Sequence, residues 1–481
     1  MKAKFIFSIF VVLILSVGKM NAQIMPAVTS VALSEQDRTT LSQYLSEYTT
    51  FTMDKRALVE NLHNNGRAQF QIRIDEKRDW TFDLRLNDMR SYDFRQTYTT
   101  DEGEFESNEP FVVNTFKGGT SDGRIARFTI DENNFFGVIL DNQYHYVIRP
   151  ASDYTRNRSD NSFIVYRSTD VISASEYFDY IHYALEAPEN SMKQDVVMRD
   201  NAETSYVPCT YYFTIATDAD YEFFQKMGRC LINSYSYIFS VLNIVEGVYE
   251  STFNMRFLVS FQHVWRSDTF GWSIPQTNGE QLMRGFQIYW QYNRRNVWRN
   301  IAHLFSGRET LIYPPHGSVD GIAHRGQISN SIGQPNNSDA FSFSRLRQGM
   351  FQTTAHEIGH HLNALDLQAP YGECACTGSN ASVMCPGRTT RDPLWFCQTS
   401  INQIQPFLEA NSAYLIGNFP EISIPLPEPT RYFHEHRATK KIISGEQVID
   451  GFIIYRAPEV WLIDGFEIIS GEVVIDDISC Q

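Results

Sequence analysis

The chain has 481 residues, with 56 acidic and 41 basic side chains and a formal net charge of −15 at pH 7. Its length corresponds to about three domains of ordinary size. The acidic balance argues against nucleic acid as a partner, because this composition does not readily supply a basic face.

Residues 1–22 have the pattern of a secretory signal peptide. Lys2 and Lys4 precede an apolar run from Phe5 to Val17, and small residues near Ala22 offer a cleavage site. The run is shorter than the ~20 apolar residues that a membrane-spanning helix needs, and no later segment approaches that length. We therefore expect a secreted, extracellular protein without a membrane span. The alternative is an uncleaved membrane anchor.

Residues 23–200 are predicted to form a β-rich domain. Apolar and polar residues alternate in short runs, for example in 69–74 and 124–130, and Gly, Asn and Asp separate these runs. The polar, aperiodic stretch from Pro188 to Ala202 is predicted to be a linker.

A domain that mixes helices and strands, with an α/β or α+β fold, is predicted for residues 201–415. Tyr211–Thr217 and Met255–Trp265 have the composition of strands, and between them Asp218–Ile244 carries apolar residues at helical spacing. This order of strand, helix and strand predicts a βαβ unit and a partly parallel sheet.

The segment from Phe351 to Asp366 is the strongest indication of function. Its apolar positions recur every three or four residues and predict a helix with one buried face; they are Phe351, Thr354, Ile358, Leu362 and Leu365. On such a helix His356 and His360 lie one turn apart and can bind one metal ion, while Glu357 points toward an open coordination position. Catalytic zinc needs three protein ligands and one water molecule, from which Glu357 can take a proton as general base.

Six other histidines are interpreted as having no role at the metal. His361 is predicted to lie on the surface of the helix and to face away from the metal. Five others have no partner at ligand spacing, namely His303, His316, His324, His434 and His436.

The cysteines favour disulfide bonds. Four of the seven are concentrated in one short segment, at positions 374, 376, 385 and 397. The alternative, a zinc ribbon, needs paired C-x-x-C spacings, which this segment lacks.

Residues 416–481 are predicted to be a small module of stacked strands. Ten residues from Ile442 recur 26 residues later from Ile468 with eight identities, and Gly and Asp interrupt the short apolar runs. With two copies, the module is expected to extend a neighbouring domain and not to fold alone.

The end of the predicted helix resembles the metzincin zinc proteases, whose motif is H-E-x-x-H-x-x-G-x-x-H/D. Asn363 occupies the glycine position, where its tolerance of left-handed backbone preserves the turn, and Asp366 occupies the position of the third ligand. The segment 382–387 resembles the Met-turn, in which Met384 would lie beneath the metal. The resemblance implies a twisted mixed sheet with an active-site helix, Glu357 as catalytic base, and zinc bound by His356, His360 and Asp366. Asp366 as a plain helix-end residue, or Glu373 as the ligand, are the alternatives.

Within the metzincins, the reprolysin (adamalysin-like) branch is the most similar, because Cys385 follows the Met-turn where another branch has a tyrosine ligand. This resemblance extends from about Tyr206 to Ala413. The N-terminal region also resembles reprolysin-type propeptides, in the segments 115–118, 126–130 and 146–150. No cysteine lies between the signal peptide and Cys209, which excludes latency through a thiolate on the metal. Two explanations of latency remain: an aspartate side chain bound to the metal, or steric cover of the site.

The predicted function is therefore a secreted zinc-dependent endopeptidase that is made as a zymogen and activated by a cut in the linker. Its protein or peptide substrate would bind in extended form along an edge strand near Gly321 to Ile328. One catalytic zinc ion is expected. The sequence does not show whether a structural calcium ion is also bound. The alternative is a catalytically silent secreted adhesion or binding protein that retains the metzincin fold, with the C-terminal module suited to cell-surface attachment. A zinc hydrolase acting on a substrate other than a peptide is also consistent with the motif.

Overall fold

The computed structural model describes most of the chain between residues 28 and 476. The described residues are 28–31, 33–75, 78–107, 112–132, 134–141, 144–154, 161–172, 183–185, 211–268, 277–309, 311–313, 317–329, 339–347, 350–367, 376, 381–386, 393–415, 421–424, 433–437, 441–444, 447–448, 451–456, 459–462, 467–468 and 471–476. The predicted signal peptide and the predicted linker lie outside the described residues.

The part of the chain before residue 186 is rich in strands, as predicted. The described helices are α1 (Glu35–Leu41) and α2 (Arg56–Asn65), with short 3₁₀ turns at Ala151–Asp153 and Ser168–Asp170. The strands are β1 (Val28–Ser30), β2 (Thr49–Met53), β3 (Arg67–Arg73), β4 (Asp79–Leu86), β5 (Arg90–Thr100), β6 (Gly103–Glu106), β7 (Thr115–Thr120), β8 (Ile125–Ile130), β9 (Phe135–Leu140), β10 (His145–Pro150), β11 (Ser162–Arg167) and β12 (Tyr183–Leu185).

Nine of these strands form one antiparallel sheet in the order β1-β2-β11-β10-β9-β8-β7-β4-β3. The alternation in β3 produces the burial pattern that the sequence predicts, because Ala68, Phe70 and Ile72 are buried while Arg67, Gln69 and Arg73 are exposed. A cluster of buried aromatic side chains packs on this sheet; it contains Phe51, Phe70, Phe82, Phe128, Phe135 and Phe163. We refer to the described residues 28–172 as the N-terminal region.

The next part of the chain mixes helices and strands, which confirms the predicted class. Its helices are α3 (Tyr221–Lys226), α4 (Leu231–Phe253), α5 (Gly279–Asn293), α6 (Met350–His361), α7 (Gln398–Ala410) and α8 (Ser412–Leu415). Its strands are β13 (Tyr211–Ala219), β14 (Met255–Trp265), β15 (Ile301–Ser306), β16 (Ile312–Tyr313), β17 (Gly317–Ser318), β18 (Gly321–His324) and β19 (Phe341–Arg345).

The predicted βαβ unit is present, since β13 and β14 pair in parallel and the chain between them is helical. The helix predicted over 218–244 differs from the structure. The first strand continues to Ala219, and the helical residues are divided by a turn in which Gly228 and Arg229 have φ angles of 73° and 55°. The side chain of Asp220 caps α3 by accepting from the backbone N–H of Phe223, which explains why helix starts only after the strand.

One eight-stranded sheet, in the order β12-β18-β19-β15-β13-β14-β5-β6, joins the two parts of the chain. β18 is antiparallel to β19, whereas β19, β15, β13 and β14 run parallel to one another. Three strands of this sheet come from before residue 186: β12 lies at one end, and β5 and β6 lie at the other. The helix α6 packs against β18, β19 and α4.

The described C-terminal segments are strands that pair in parallel. Their bounds are β20 (Glu421–Ile424), β21 (Phe433–Arg437), β22 (Lys441–Ser444), β23 (Gln447–Val448), β24 (Gly451–Arg456), β25 (Glu459–Leu462), β26 (Glu467–Ile468) and β27 (Gly471–Asp476). Ile442 pairs with Val460, 18 residues later, and Gly451 pairs with Gly471, 20 residues later. The 26-residue sequence repeat is therefore not the register of the pairing.

Among the described helices, none combines the length and the apolar composition that crossing a membrane requires.

Candidate active site

The helix α6 directs two imidazoles toward the same point. His356 and His360 are fully buried and lie one turn apart, with ring centroids 4.6 Å from each other. His356 Nδ1 lies 2.8 Å from the carbonyl oxygen of Val383, and His360 Nδ1 lies 2.9 Å from that of Ala364. Because a carbonyl oxygen only accepts, each Nδ1 carries a proton, so each Nε2 presents a lone pair to a metal when the imidazole is neutral.

The chain reverses directly after α6 in a Schellman motif. Asn363 has a φ of 75°, which confirms the predicted left-handed conformation. The N–H of Asn363 donates to the carbonyl of His360 at 2.8 Å, and the N–H of Ala364 donates to that of Gly359 at 3.0 Å. The reversal carries Asp366 back to the two histidines.

Asp366 completes a group of three donor atoms that lie within 4.8 Å of one another. Its Oδ1 is 3.1 Å from His356 Nε2 and 3.5 Å from His360 Nε2. Ligand atoms around a tetrahedral zinc ion, with bonds of about 2.0–2.2 Å, lie roughly 3.3 Å apart, so this donor set has the spacing that zinc requires. Burial alone would raise the pKa of Asp366, but the two imidazoles lower it well below its usual range. The carboxylate is thus ionised, as a metal ligand must be.

Glu357 is fully buried beside this group and contacts the start of β18. A Cβ atom placed on Gly321 would lie 2.2 Å from Glu357 Oε1, so any other residue at this position of the strand would require the Glu357 side chain to move. Burial raises the pKa of Glu357 well above its usual value, and the nearby carboxylates of Asp366 and Asp320 raise it further. No sequence pattern indicates the contact between Gly321 and Glu357, because it joins two segments that are distant in the chain.

Met384 and Tyr249 support α6 from the side opposite β18. A Cβ atom on Gly359 would lie 2.4 Å from Met384 Sδ, which shows that the sulfur packs directly on the helix backbone. The Tyr249 hydroxyl donates to the carbonyl oxygen of Ala355 at 2.7 Å. A disulfide between Cys376 and Cys385 anchors the turn that carries Met384, in agreement with the predicted disulfides. Tyr249 lies on α4, beyond the predicted helical segment 218–244, and no local sequence signal distinguishes it.

Comparisons with known proteins agree with this geometry. Residues 212–420 match the model of the family described as "Reprolysin (M12B) family zinc metalloprotease". This segment is a reprolysin-like metzincin domain. The predicted recognition of the reprolysin branch is therefore confirmed.

The chain also has curated relatives of low identity. Disintegrin and metalloproteinase domain-containing protein 22 of Xenopus laevis is 24% identical over 386 residues, which are 77% of this chain and 39% of the relative. The protein of the same name from Homo sapiens is 22% identical over 323 residues, 64% of this chain and 34% of the relative. The chain thus spans less than two fifths of the length of these relatives.

Two predictions about the active-site helix of the reprolysin-like domain are wrong. His361 was predicted on the helix surface, but it is fully buried and its Nδ1 lies 2.9 Å from the carbonyl oxygen of Gln327. The loop after β18 covers that side of α6, which the helix periodicity could not indicate. Leu365 was predicted on the buried face, but α6 ends at His361 and Leu365 is 43% exposed.

The edge strand predicted near Gly321 to Ile328 corresponds to β18 and the loop after it. On one side β18 pairs antiparallel with β19. On the other side it pairs in parallel with β12, with Tyr183 opposite Ile322 and Leu185 opposite His324. The backbone groups that an extended peptide would use on this edge are thus already paired within the chain.

Proposed function

We propose that the protein is a zinc-dependent endopeptidase. The observation that supports this most directly is the convergence of His356 Nε2, His360 Nε2 and Asp366 Oδ1, beside the carboxylate of Glu357, in a reprolysin-like domain. Reprolysins are a zinc metalloprotease family, and two neutral imidazoles with one ionised carboxylate are a suitable donor set for a catalytic zinc ion.

Each residue has a distinct task in this proposal. His356, His360 and Asp366 hold the metal, and the carbonyls of Val383 and Ala364 fix the orientation of the two imidazoles. A zinc ion held there would polarise the scissile carbonyl and lower the pKa of an attacking water molecule to about 7. Glu357 takes the proton of that water and passes it to the leaving amine. Met384 and Tyr249 keep α6 in place.

The test of this division of tasks is Glu357→Gln. We expect the variant to bind zinc as the wild type does and to lose hydrolysis of casein by at least about 10²–10⁴-fold, because the metal ligands are intact and the base is missing. Zinc content is measured by metal analysis and hydrolysis with and without a chelator. Near-wild-type turnover of the variant would reject the mechanism. A wild-type chain that binds zinc but cleaves no peptide in any processed form would favour the catalytically silent binding protein.

The role of Asp366 has its own test. Two histidines provide half of a tetrahedral shell, so Asp366→Ala should lose most zinc affinity and all activity, whereas Asp366→His should retain partial metal binding. Wild-type zinc occupancy in Asp366→Ala would show that the third ligand lies elsewhere.

We propose further that the uncut protein is latent because β12 occupies the edge of β18. The support for this is the parallel register of residues 183–185 with 322–324, next to the strand residue that contacts Glu357. Ala184→Pro removes a strand N–H and should raise the activity of the uncut protein, whereas Ala187→Pro, outside the strand, should not. Equal activity of the two variants would contradict this form of latency.

We propose that the chain comprises four segments. These are a signal peptide (1–22), a β-rich propeptide (23–200), the protease domain (201–415) and a C-terminal strand module (416–481) that would attach the protein to a surface. Secretion is supported by the N-terminal sequence pattern. Sequencing the N-terminus of the exported protein tests it, with a start after residue 22 as the expected result.

A further inference from the structure

The N-terminal region contributes a long strand to the sheet of the reprolysin-like domain. β5 pairs in parallel with β14 from Arg90 opposite Val259 to Thr99 opposite Trp265, and β6 pairs with β5 as the outermost strand. Without these two strands, the eleven-residue strand β14 would be an unpaired edge. Bare edges of this length expose backbone donors and acceptors and favour aggregation.

Side chains reinforce this pairing. The ring of His263 is fully buried, with Nδ1 2.7 Å from the Thr97 hydroxyl and Nε2 3.1 Å from the Thr99 hydroxyl. Gln96 donates to the side-chain oxygen of Gln262 at 2.9 Å. Removing β5 would therefore remove both hydroxyl partners of His263.

A second set of contacts joins the N-terminal region to α4 through buried charges. Lys117 Nζ lies 3.3 Å from Glu250 Oε1, and Arg127 pairs with the other oxygen of the same carboxylate. The Lys117 and Arg127 side chains are 4% and 2% exposed. Asn87 donates to Glu246, which is itself fully buried. Separation of the two parts would remove Lys117 and Arg127 from Glu250, whereas Arg256 of β14 would stay beside Glu246 and Glu250.

The apolar core is also continuous across this contact. Met89, Val138 and Leu140 belong to the same buried cluster as the apolar side chains of α4. The N-terminal region packs closely on α4 at Gly247, where a Cβ atom would lie 2.9 Å from Arg127 Cγ and 3.2 Å from Leu140 Cδ1. The packing is thus that of one core and not of two domains in loose contact.

We propose that the N-terminal region is a permanent, non-covalently bound subunit of the protein, which remains in place after the chain is cut between Pro188 and Ala202. The surface that holds it is formed by β14 and α4, and the partner is the cut N-terminal segment of the same chain. This proposal concerns association alone; its consequence for latency rests on the proposed function.

That consequence alters the expectation from the sequence that one cut activates the enzyme. After a cut beyond residue 188, β12 is still connected to the retained N-terminal region by residues 173–182. Because β12 stays covalently connected to the bound N-terminal region, its pairing with β18 remains intramolecular. A second cut within 173–182 is needed before the β12 segment can leave, while residues 28–172 stay.

The experiment uses the full chain with one protease recognition sequence inserted in 188–202 and a different one in 173–182. After the first cut, and again after both cuts, we expect residues 28–172 to co-elute with the reprolysin-like domain in size-exclusion chromatography at about 1 µM. Elution of the N-terminal fragment as a separate species after the first cut would overturn the proposal.

Variants of α4 show whether the contacts described above are responsible. Glu250→Ala should weaken the cut complex at least about tenfold, and Gly247→Leu should separate it. Ser251→Ala, an exposed position on the same helix, is the matched control and should elute like the wild type. Wild-type affinity of the cut complex in both Glu250→Ala and Gly247→Leu would also overturn the proposal. Absence of peptide hydrolysis in every cut form would reject the proposed function. Co-elution would still show whether residues 28–172 stay bound to the reprolysin-like domain.

Discussion

The two edges of the eight-stranded sheet are covered in different ways. At the edge next to Glu357, β12 contributes three residues, and they are paired with β18 through the backbone. At the opposite edge, β5 contributes eleven residues, whose side chains bond to β14 and whose neighbours share a core with α4. Strand addition is used at both edges, but β12 has three residues and β5 has eleven. We conclude that the first edge is suited to exposure on activation and the second to permanent cover.

The largest effect is expected at the edge next to Glu357. Gly321→Ala introduces a Cβ atom that would lie 2.2 Å from Glu357 Oε1, so the base must move. We expect peptide hydrolysis to fall at least about hundredfold, with zinc content and association of the N-terminal region unchanged. Turnover, metal analysis and size-exclusion chromatography measure these three quantities. Wild-type turnover would show that Glu357 has room to shift.

An intermediate effect is expected between the two edges, at Asp218 in β13. This carboxyl accepts from Trp290 Nε1 at 2.8 Å, and burial raises its pKa to about 7. A folded pKa above the unfolded value of about 3.9 means that the native state binds the extra proton, so stability is highest below that value and is lost as the pH rises through 7.

Asp218→Asn keeps the acceptor for Trp290 and removes the titration. We expect the variant to be more stable than the wild type at pH 8, by up to about 4 kcal/mol, and similar to it at pH 4. Urea unfolding at both pH values measures the difference. A difference that does not change with pH would show that Asp218 does not titrate in this range.

The smallest effect is expected where β5 pairs with β14. Thr97→Val removes the hydroxyl bonded to His263 Nδ1 and leaves that nitrogen buried, at a cost of about 1–2 kcal/mol. The affinity of the cut complex should fall roughly five- to thirtyfold, with peptide hydrolysis unaffected. Thr39→Val, at an exposed position on α1, is the control. Equal affinities of the two variants would show that the hydroxyl does not strengthen the pairing.

The sequence by itself predicted those features that depend on neighbouring residues. The spacing of His356 and His360 places both on one helix face, since four residues make about one turn. The β-branched and aromatic run from Met255 to Trp265 is a strand with the predicted bounds. Asn363 has the left-handed conformation expected of a residue that replaces glycine at the turn. Each of these depends on local backbone preferences, which a sequence displays directly.

Long-range packing determines which strands pair and which surfaces they cover. Alternation identifies strands before residue 186, but it cannot show that β5 pairs with β14 and that β12 pairs with β18. For the same reason His361 was assigned to the surface, although the loop after β18 buries it. Gly321 and Tyr249 contact α6 from segments far away in sequence. A strand's period specifies which side chains share a face, while its partner is determined by packing and long-range pairing, which no local pattern records.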